Sequence, residues 1–360
     1  MPAAMIRAPV PVPPSLLTVA ERVERRLDAL LCAETSRWVA LSTDLGPPLQ
    51  ALRALVMGGG KRLRPAFCFW GFVGAGGHPD DERIIDAGAA LELMHAFALF
   101  HDDVMDDSSS RRGAPTTHTV YAEQHRKAAW AGESRRFGEG IAILVGDLAF
   151  VLSDQLLLGA GVEVWALWNE LRLELNAGQL LDIIGAVQGE RRLDKAERIA
   201  RYKSGKYTIE RPLHLGALLA APERRAELLA GLSAYGLPLG DAFQMRDDVI
   251  GAFGATELTG KPVGDDLREG KPTPLLARAV ALADDRQRRV LDVVGSAGMT
   301  EEHVAAAQQV IVDTGALAAL EDVIERLAEE AVEALERVDL TAAARDALAE
   351  LAAFVAGRTV

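Results

Sequence analysis

Residues 89–107 read AALELMHAFALFHDDVMDD, an apolar run that ends in a cluster of aspartates. The apolar part, residues 89–100, is too short to cross a membrane and is typical of a buried helix. The aspartates at its end are therefore expected near the protein interior. Residues three or four apart share one face of a helix, so Asp102, Asp103 and Asp106 direct their carboxylates into one oxygen-only pocket.

This cluster of like charges needs a positive partner, because carboxylates so placed repel one another. Magnesium prefers hard carboxylate oxygens and completes its octahedron with water and substrate phosphate. A carboxylate cluster that faces a cavity therefore predicts a site for a metal-bound diphosphate. The alternative interpretation is a solvated, acidic helix end.

The composition indicates a folded, acidic protein. Its 360 residues are 49% hydrophobic and 25% charged, which excludes disorder throughout the chain. A net charge of −13 disfavours nucleic acid as a general partner, because binding to a phosphate backbone needs a basic face. Cys32 and Cys68 are the only cysteines, which suits a reducing compartment and supplies neither a zinc quartet nor a disulfide framework.

One helical domain is expected after a short lead. Residues 1–15 are rich in proline and lack the features of a signal peptide, so we expect them to be disordered. Residues 16–360 are rich in Ala and Leu, with apolar residues at helical spacing and no run of about 20 apolar residues. We expect a single all-α domain in a soluble, cytoplasmic protein without stable membrane insertion.

Glycine and proline divide this domain into segments of helical length. The predicted breaks lie at residues 46–48, 76–79, 138–140, 221–222 and 236–238. Residues 300–357 predict two or three further amphipathic helices. Residues 260–274 form a polar segment of the kind that often covers a site.

A second acidic pair, Asp247 and Asp248, lies in another mostly apolar segment and predicts a second metal site. The position that corresponds to the third aspartate of the first cluster is Gly251, so this site has fewer carboxylates. The nearby aspartates at residues 265–266 are candidates to supplement it. The alternative, a salt-bridged helix surface, is stronger here than for the first cluster.

Basic residues accompany the acidic clusters in two sets. Lys61, Arg62 and Arg64 follow three glycines, and Arg111 and Arg112 follow the first aspartate cluster. Lysine supplies a point charge and arginine a planar fork of donors, and both suit phosphate oxygens. Two basic sets indicate two anionic substrates. No glycine-lysine motif here has the spacing of a nucleotide-binding Walker loop.

In their order along the chain, these motifs resemble the trans-isoprenyl diphosphate synthase family, also called polyprenyl synthetases, from about residue 16 onward. The matching motifs are GGKRLRP at 59–65, DDxxD at 102–106, RRG at 111–113, GD at 146–147, GQLLD at 178–182, KS at 203–204, FQ at 243–244, DD at 247–248, and GK at 260–261 and 270–271. Agreement at all of them in order is not expected by chance. The resemblance implies a homodimeric bundle of antiparallel helices around a deep central cavity.

The resemblance also implies roles for individual residues. Three Mg²⁺ ions would bind the allylic diphosphate, two of them held by Asp102, Asp103 and Asp106 and the third by Asp247 and Asp248. Catalytic contacts around that diphosphate would come from Arg111, Lys203, Gln244 and Lys261. Contacts to isopentenyl diphosphate would come from Lys61, Arg64, His95 and Arg112, and Lys271 would also bind substrate.

Three of these positions have a second interpretation. His95 lies on an apolar helix, where a histidine is usually a core residue, although it shares roughly one face with Asp102. Gln179 and Asp182 lie one turn apart and either support the site or form an internal bond between helices.

The growing product would descend along the helix that bears the first cluster. Residues one to two turns before Asp102 would then form the floor of the cavity, and these are Met94, Phe97 and Ala98. Phe97 is bulky and stops the product early. We therefore expect geranylgeranyl diphosphate as the product, with farnesyl diphosphate next.

Two other functions share part of this pattern. A class I terpene cyclase uses the same metal-assisted ionisation but has one diphosphate substrate, so it does not require Lys61, Arg64 and Arg112. Gly251 suggests a non-catalytic or regulatory subunit of a heteromeric synthase, whereas the complete first cluster argues against it. The sequence favours an Mg²⁺-dependent prenyltransferase that joins an allylic diphosphate to isopentenyl diphosphate.

Overall fold

Helices account for nearly all regular structure in this computed structural model, which describes residues 10–254, 263–296 and 298–358. The predicted all-α class is confirmed. The α-helices are α1 (Pro14–Val39), α2 (Gly46–Met57), α3 (Leu63–Gly74), α4 (Glu82–Met105), α5 (Thr117–Lys127), α6 (Ser134–Leu156), α7 (Val162–Val187), α8 (Leu193–Ala200), α9 (Arg211–Ala220), α10 (Arg225–Phe253), α11 (Asp265–Glu269), α12 (Pro274–Leu282), α13 (Asp285–Leu291), α14 (Glu301–Asp313), α15 (Ala316–Ala334) and α16 (Ala342–Gly357). Short 3-10 turns lie at Thr43–Leu45, Pro222–Arg224 and Leu335–Arg337.

Helix α4 carries the first aspartate cluster through the core. It begins where the Asp81 side chain accepts a hydrogen bond of 2.9 Å from the backbone N–H of Arg83, as an N-cap does. It packs against α1, α2, α3, α5, α6 and α9. Burial on so many sides explains why this segment reads as an apolar run rather than as an amphipathic stripe.

Among the described residues, α4 is also the one helix that is long and apolar enough to cross a membrane, by length and composition alone. The sequence contains no uninterrupted run of about 20 apolar residues, so no membrane-spanning helix is expected from it. The most apolar window of α4 is 67% buried inside the protein, as in the core helix of a soluble protein. The helix therefore belongs to the core.

Two of the predicted breaks are wrong, because their glycines serve helix packing rather than turns. Residues 138–140 lie inside α6, and residues 236–238 lie inside α10. A Cβ added to Gly138 would lie 2.1 Å from the carbonyl oxygen of His118 in α5. Only glycine permits such close contact between backbones. The other breaks separate helices or, at residues 46–48, form the first turn of α2.

The C-terminal region folds into the predicted amphipathic helices, α14, α15 and α16. Helix α15 packs against α10, which carries the second acidic pair. Arg246 of α10 donates hydrogen bonds of 2.6 Å to both carboxylate oxygens of Glu321 in α15, and one of 2.9 Å to the carbonyl oxygen of Ala356. This region therefore supports the helix that bears the second site.

The N-terminal boundary differs from the predicted one. Helix α1 begins at Pro14, so the expected end of the lead after Ser15 falls inside this helix. Ser15 is buried, and its carbonyl oxygen accepts a hydrogen bond of 2.8 Å from Trp70. These contacts tie the start of α1 to α3. Residues 1–9 of the predicted lead lie outside the described residues.

A two-stranded hairpin follows the first aspartate cluster. Strands β1 (Ser110–Arg111) and β2 (Ala114–Pro115) pair in antiparallel fashion, with Arg111 opposite Ala114. The two residues between them, Arg112 and Gly113, both have positive φ, as a tight type I′ turn requires. The hairpin therefore fixes two neighbouring arginines beside the end of α4.

A π-helical segment, Arg201–Glu210, joins α8 to α9 and packs between α7 and α10. Such segments are rare and frequently occur at functional sites. A Cβ added to Gly178 of α7 would lie 2.4 Å from the backbone nitrogen of Lys203. The glycine thus lets α7 approach the π-helical segment closely enough for their side chains to pair.

A buried histidine of α9, His214, makes stability depend on pH. Its Nε2 lies 3.1 Å from the carbonyl oxygen of Leu229, and its Nδ1 lies 3.3 Å from a nitrogen of Arg211. Burial, with the nearby Arg211 charge, lowers the pKa of His214 to about 3. An unfolded chain takes up this proton near pH 6.5, roughly the ordinary value for histidine.

We expect acidification from about pH 6.5 to about pH 5 to lower the free energy of unfolding by about 1 to 2 kcal/mol through His214, because only the unfolded chain binds the proton in this window. The substitution His214→Gln should remove this part of the slope in urea unfolding. His78→Gln is the matched control, because the His78 side chain is 77% exposed. An unchanged slope in His214→Gln would contradict the assignment.

Candidate active site

A cavity of about 570 Å³ is lined by α4, α7, the π-helical segment and α10, and by residues 265–274. The last of these is the polar segment for which a covering role is predicted, and it contributes α11. The charged side chains that line the cavity are Arg64, Asp102, Arg111, Asp182, Lys203, Asp247, Asp248, Asp265, Asp266 and Lys271. The cavity therefore brings together charges of both signs from distant parts of the chain.

The first aspartate cluster divides between two environments. Asp102 lines the cavity, and burial raises the pKa of its carboxyl and of the Asp106 carboxyl. Oδ1 of Asp103 instead accepts a hydrogen bond of 2.7 Å from Nε of Arg111, whose Nη2 lies 2.7 Å from the same oxygen. Asp102 thus faces the cavity, Asp106 lies one helical turn further along, and Asp103 pairs with Arg111.

The second acidic pair, on α10, is also divided. Asp248 is buried, and its Oδ1 accepts a hydrogen bond of 2.9 Å from Gln244 while its Oδ2 has no partner. Burial raises the pKa of the Asp248 carboxyl well above its ordinary value. Asp247 accepts a hydrogen bond of 2.6 Å from Arg358, whose guanidinium also stacks 4.1 Å from the ring centre of Phe243.

Asp266 stands where a side chain at position 251 would begin. A Cβ added to Gly251 would lie 1.9 Å from Oδ2 of Asp266. Gly251 follows Asp247 by four residues and so lies one turn further along α10 on the same face. The Asp266 carboxylate, from α11, therefore rests against α10 beside the second acidic pair.

Two lysines connect the acidic groups of the cavity. Lys203 of the π-helical segment pairs with Asp182 of α7, so Asp182 supports the site. Nζ of Lys271 lies 3.9 Å from Asp106 and 3.7 Å from Asp266. One ammonium group thus lies between the first cluster and the carboxylate beside the second pair.

A second basic group lies on another wall of the cavity. Arg64 donates a hydrogen bond of 2.9 Å to Thr208 and packs 4.3 Å from the ring centre of Tyr207. His95 lines the cavity, and its Nδ1 is buried without a partner. Burial and the charges of Arg64 and Arg112 lower the pKa of His95 well below its ordinary value, so the imidazole is neutral.

Arginine side chains hold the glycine-rich turn at residues 58–60. Arg62 is buried and pairs with Glu92, which makes its role structural. Arg112, from the hairpin, donates a hydrogen bond to a carbonyl oxygen of this turn. Lys61 lies beside them, and burial lowers its pKa to about 8.

Residues 48–311 match the sequence profile of the Polyprenyl synthetase family. The chain belongs to this family. A short chain isoprenyl diphosphate synthase of Methanothermobacter thermautotrophicus is 33% identical over 332 residues, which cover 88% of this chain and 92% of the relative. A geranylfarnesyl diphosphate synthase of Aeropyrum pernix is 33% identical over 293 residues, which cover 79% and 85%.

A solved structure extends the similarity to the fold. The geranylgeranyl pyrophosphate synthase from Corynebacterium glutamicum, complexed with isoprenyl diphosphate and magnesium, gives a TM-score of 0.88 at 36% identity, covering 94% of this chain and 98% of that one. The family and the helical fold predicted from the sequence are therefore confirmed.

The carboxylates of this polyprenyl synthetase suit a divalent metal ion that brings a diphosphate ligand. Oδ2 of Asp248 is buried without a partner, and the donors are hard carboxylate oxygens. Within the described parts of the chain, no three acidic, histidine or cysteine side chains already form a metal site. Mg²⁺ commonly uses one or two protein carboxylates and takes its other ligands from water and substrate phosphate. Asp102 and Asp248 line the cavity in which such an ion would bind.

Some predicted residues lie elsewhere. Lys261 is outside the described residues. Met94 is fully buried and is not among the residues that line the cavity, whereas Phe97 and Ala98 line it. Sequence reasoning missed Arg358, because a single arginine after the last helix gives no motif.

Proposed function

We propose that this chain is a short-chain prenyl diphosphate synthase, a prenyltransferase that joins an allylic diphosphate to isopentenyl diphosphate. The observation that carries the proposal is the presence of two anion-binding groups in one cavity. Asp102, Asp106 and Asp248, with Lys203 and Lys271, suit a metal-bound diphosphate. Arg64 lines the same cavity, with Arg112 of the hairpin near it, and this basic pair suits a second diphosphate. The names of the curated relatives support the same activity.

The reaction begins with cleavage of the allylic carbon–oxygen bond, whose electron pair leaves on the diphosphate. Bound Mg²⁺, of which we propose three ions, supplies electrophilic stabilisation of this leaving group. Lys203, Lys271 and Arg111 add positive charge near Asp102. The double bond of isopentenyl diphosphate then attacks the allylic cation, and loss of a proton to the released diphosphate gives the product. The apolar cavity wall excludes water, which would quench the cation.

The second substrate is positioned by the group around Arg64. Thr208 and the Tyr207 ring hold this guanidinium in place, so its orientation is fixed before substrate binds. The neutral His95 offers Nδ1 to the same region without adding charge. A terpene cyclase has no second diphosphate and needs no such group.

The purified chain alone, with Mg²⁺, isopentenyl diphosphate and an allylic diphosphate, should form a longer prenyl diphosphate. The test is extraction and chromatography of the product, with EDTA as the metal-free control.

Arg64→Gln should raise the KM for isopentenyl diphosphate by about tenfold or more while changing the KM for the allylic substrate less, because a charged partner is lost at one site only. Absence of elongation by the wild-type chain would contradict the proposed synthase activity, and a hydrocarbon or alcohol product would indicate a cyclase.

Geranylgeranyl diphosphate is the proposed product, and Phe97 is the proposed floor of the chain-elongation cavity. The Phe97 ring packs 4.8 Å from the ring of Phe150 and 4.5 Å from the ring of His101, measured between ring centres. These contacts hold a bulky side chain five residues before Asp102, on the cavity wall. The small Ala98 beside it leaves room.

Removal of this ring should lengthen the product. We expect Phe97→Ala to shift the major product by at least about one five-carbon unit, because it opens space beyond the floor. The control is Met94→Ala, which shortens a buried side chain outside the cavity lining and should lower stability without changing product length. Product lengths identical to wild type in Phe97→Ala would contradict the floor assignment.

The proposed assembly is a homodimer, supported by apolar side chains left exposed on two long helices. On α7, Leu173, Leu180 and Val187 recur every seven residues and are 67%, 61% and 86% exposed. On α6, Leu144 and Val151 share one face and are both 61% exposed. Such apolar stripes on a helix are typical of protein interfaces. In a two-fold symmetric dimer, the same stripe on a second copy of the chain would bury them.

Wild-type protein should therefore sediment as a dimer in analytical ultracentrifugation. The double substitution Leu173→Glu with Leu180→Glu should shift it to the monomer, because charge would be buried at the interface. Leu41→Glu is the control, since Leu41 is 74% exposed but lies outside α6 and α7. A monomeric wild type would contradict the proposal.

The proposed location is the cytoplasm. Cys32 and Cys68 are free thiols, one exposed and one buried, which suits a reducing compartment.

A further inference from the structure

The second acidic site contains a carboxylate that its own helix does not provide. We propose that Asp266 of α11 supplies the third carboxylate of the metal site on α10, in place of the side chain that is missing at Gly251. This inference rests on the metal-bound diphosphate of the proposed function. It assigns a metal-binding role to a residue that lies outside both aspartate motifs.

The Asp266 carboxylate occupies the space that a side chain at position 251 would need. Gly251 lies four residues after Asp247, so a side chain there would extend from the same face of α10. A Cβ at this position would lie 1.9 Å from Oδ2 and 2.5 Å from Cγ of Asp266. The missing side chain of Gly251 is therefore the space that the Asp266 carboxylate occupies.

The neighbouring groups indicate a cation at this point. Asp248 is 2% exposed, it lines the cavity, and its Oδ2 has no hydrogen-bond partner. Asp247 and Asp266 line the same cavity. A divalent cation with oxygen ligands would satisfy the buried oxygen of Asp248 and offset the repulsion among these carboxylates.

The competing explanation is that Asp266 only neutralises Lys271. Nζ of Lys271 lies 3.7 Å from Asp266, a loose contact. Lys271 already pairs more closely with Glu269 and also lies 3.9 Å from Asp106. Asp266 stabilises the charge of Lys271 together with Glu269 and Asp106, and the substitutions proposed next distinguish this pairing from a metal-binding role.

The test is a cycle of substitutions read out by metal binding rather than by turnover. Mn²⁺ binding to the full chain would be measured by electron paramagnetic resonance with saturating inorganic diphosphate. We expect Asp266→Ala and Asp266→Asn to weaken one class of Mn²⁺ site by about ten- to hundredfold. Gly251→Asp alone should also weaken it, because the new side chain collides with Asp266. Combining Gly251→Asp with Asp266→Ala should restore the site, because the carboxylate then comes from α10.

Glu269→Gln is the control for the contact with Lys271 and should leave Mn²⁺ affinity unchanged. The proposal is overturned by wild-type affinity in Asp266→Asn, by an equal loss in Glu269→Gln, or by a folded double variant that does not recover. Asp266→Asn keeps the size of the side chain, so it decides the matter even where the double variant fails to fold. If the substitution cycle behaves as expected but the wild type forms no elongated product, the metal assignment stands and the proposed function fails.

Discussion

Negative charge concentrated in one cavity is the constraint on which the rest of the site depends. Asp102 reaches it from α4 and Asp248 from α10, and Asp106 lies 3.9 Å from Lys271 of the cavity lining. Burial raises the pKa of all three carboxyls. Two lysines from other parts of the chain offset this charge. Lys203 of the π-helical segment pairs with Asp182, and Lys271, which follows α11, lies near Asp106. The result is a site that accepts a divalent cation together with a polyanion.

Close backbone contacts make this convergence of elements geometrically feasible. Gly178 allows α7 to reach the π-helical segment, where Lys203 meets Asp182. On the opposite side of that segment, a Cβ added to Gly240 of α10 would lie 2.7 Å from the carbonyl oxygen of Gly205. Glycines at these contacts bring three helical backbones together, so charged side chains from each meet in one cavity.

Local spacing predicted the parts of the site that one helix provides. The four-residue interval between Asp102 and Asp106 follows from helix geometry, and the apolar run before them indicates burial. The orientation of Asp103 toward Arg111 depends on the hairpin after α4, which helical spacing does not describe. The glycines inside α6 and α10 read as breaks because a single sequence does not distinguish a turn from a close helix contact.

The sequence alone does not predict contacts between residues that are far apart in the chain. Arg358 meets Asp247 across more than a hundred residues, and Asp266 meets Gly251 through the fold of the segment that follows α10. Proximity in sequence makes residues 265–266 candidates to supplement the second site, but it does not indicate where their side chains lie. Packing between α10 and α11 decides the position of Asp266, because the lack of a side chain at Gly251 leaves space for its carboxylate.

We propose that the carboxylates and the diphosphate complete one metal site together. Titration calorimetry of Mg²⁺ into the protein, with and without saturating inorganic diphosphate, tests it directly. Mg²⁺ should bind weakly to the protein alone and at least about tenfold more tightly with diphosphate present. By linkage, Mg²⁺ should increase the affinity for diphosphate by the same factor. Equal Mg²⁺ affinity under both conditions would contradict it.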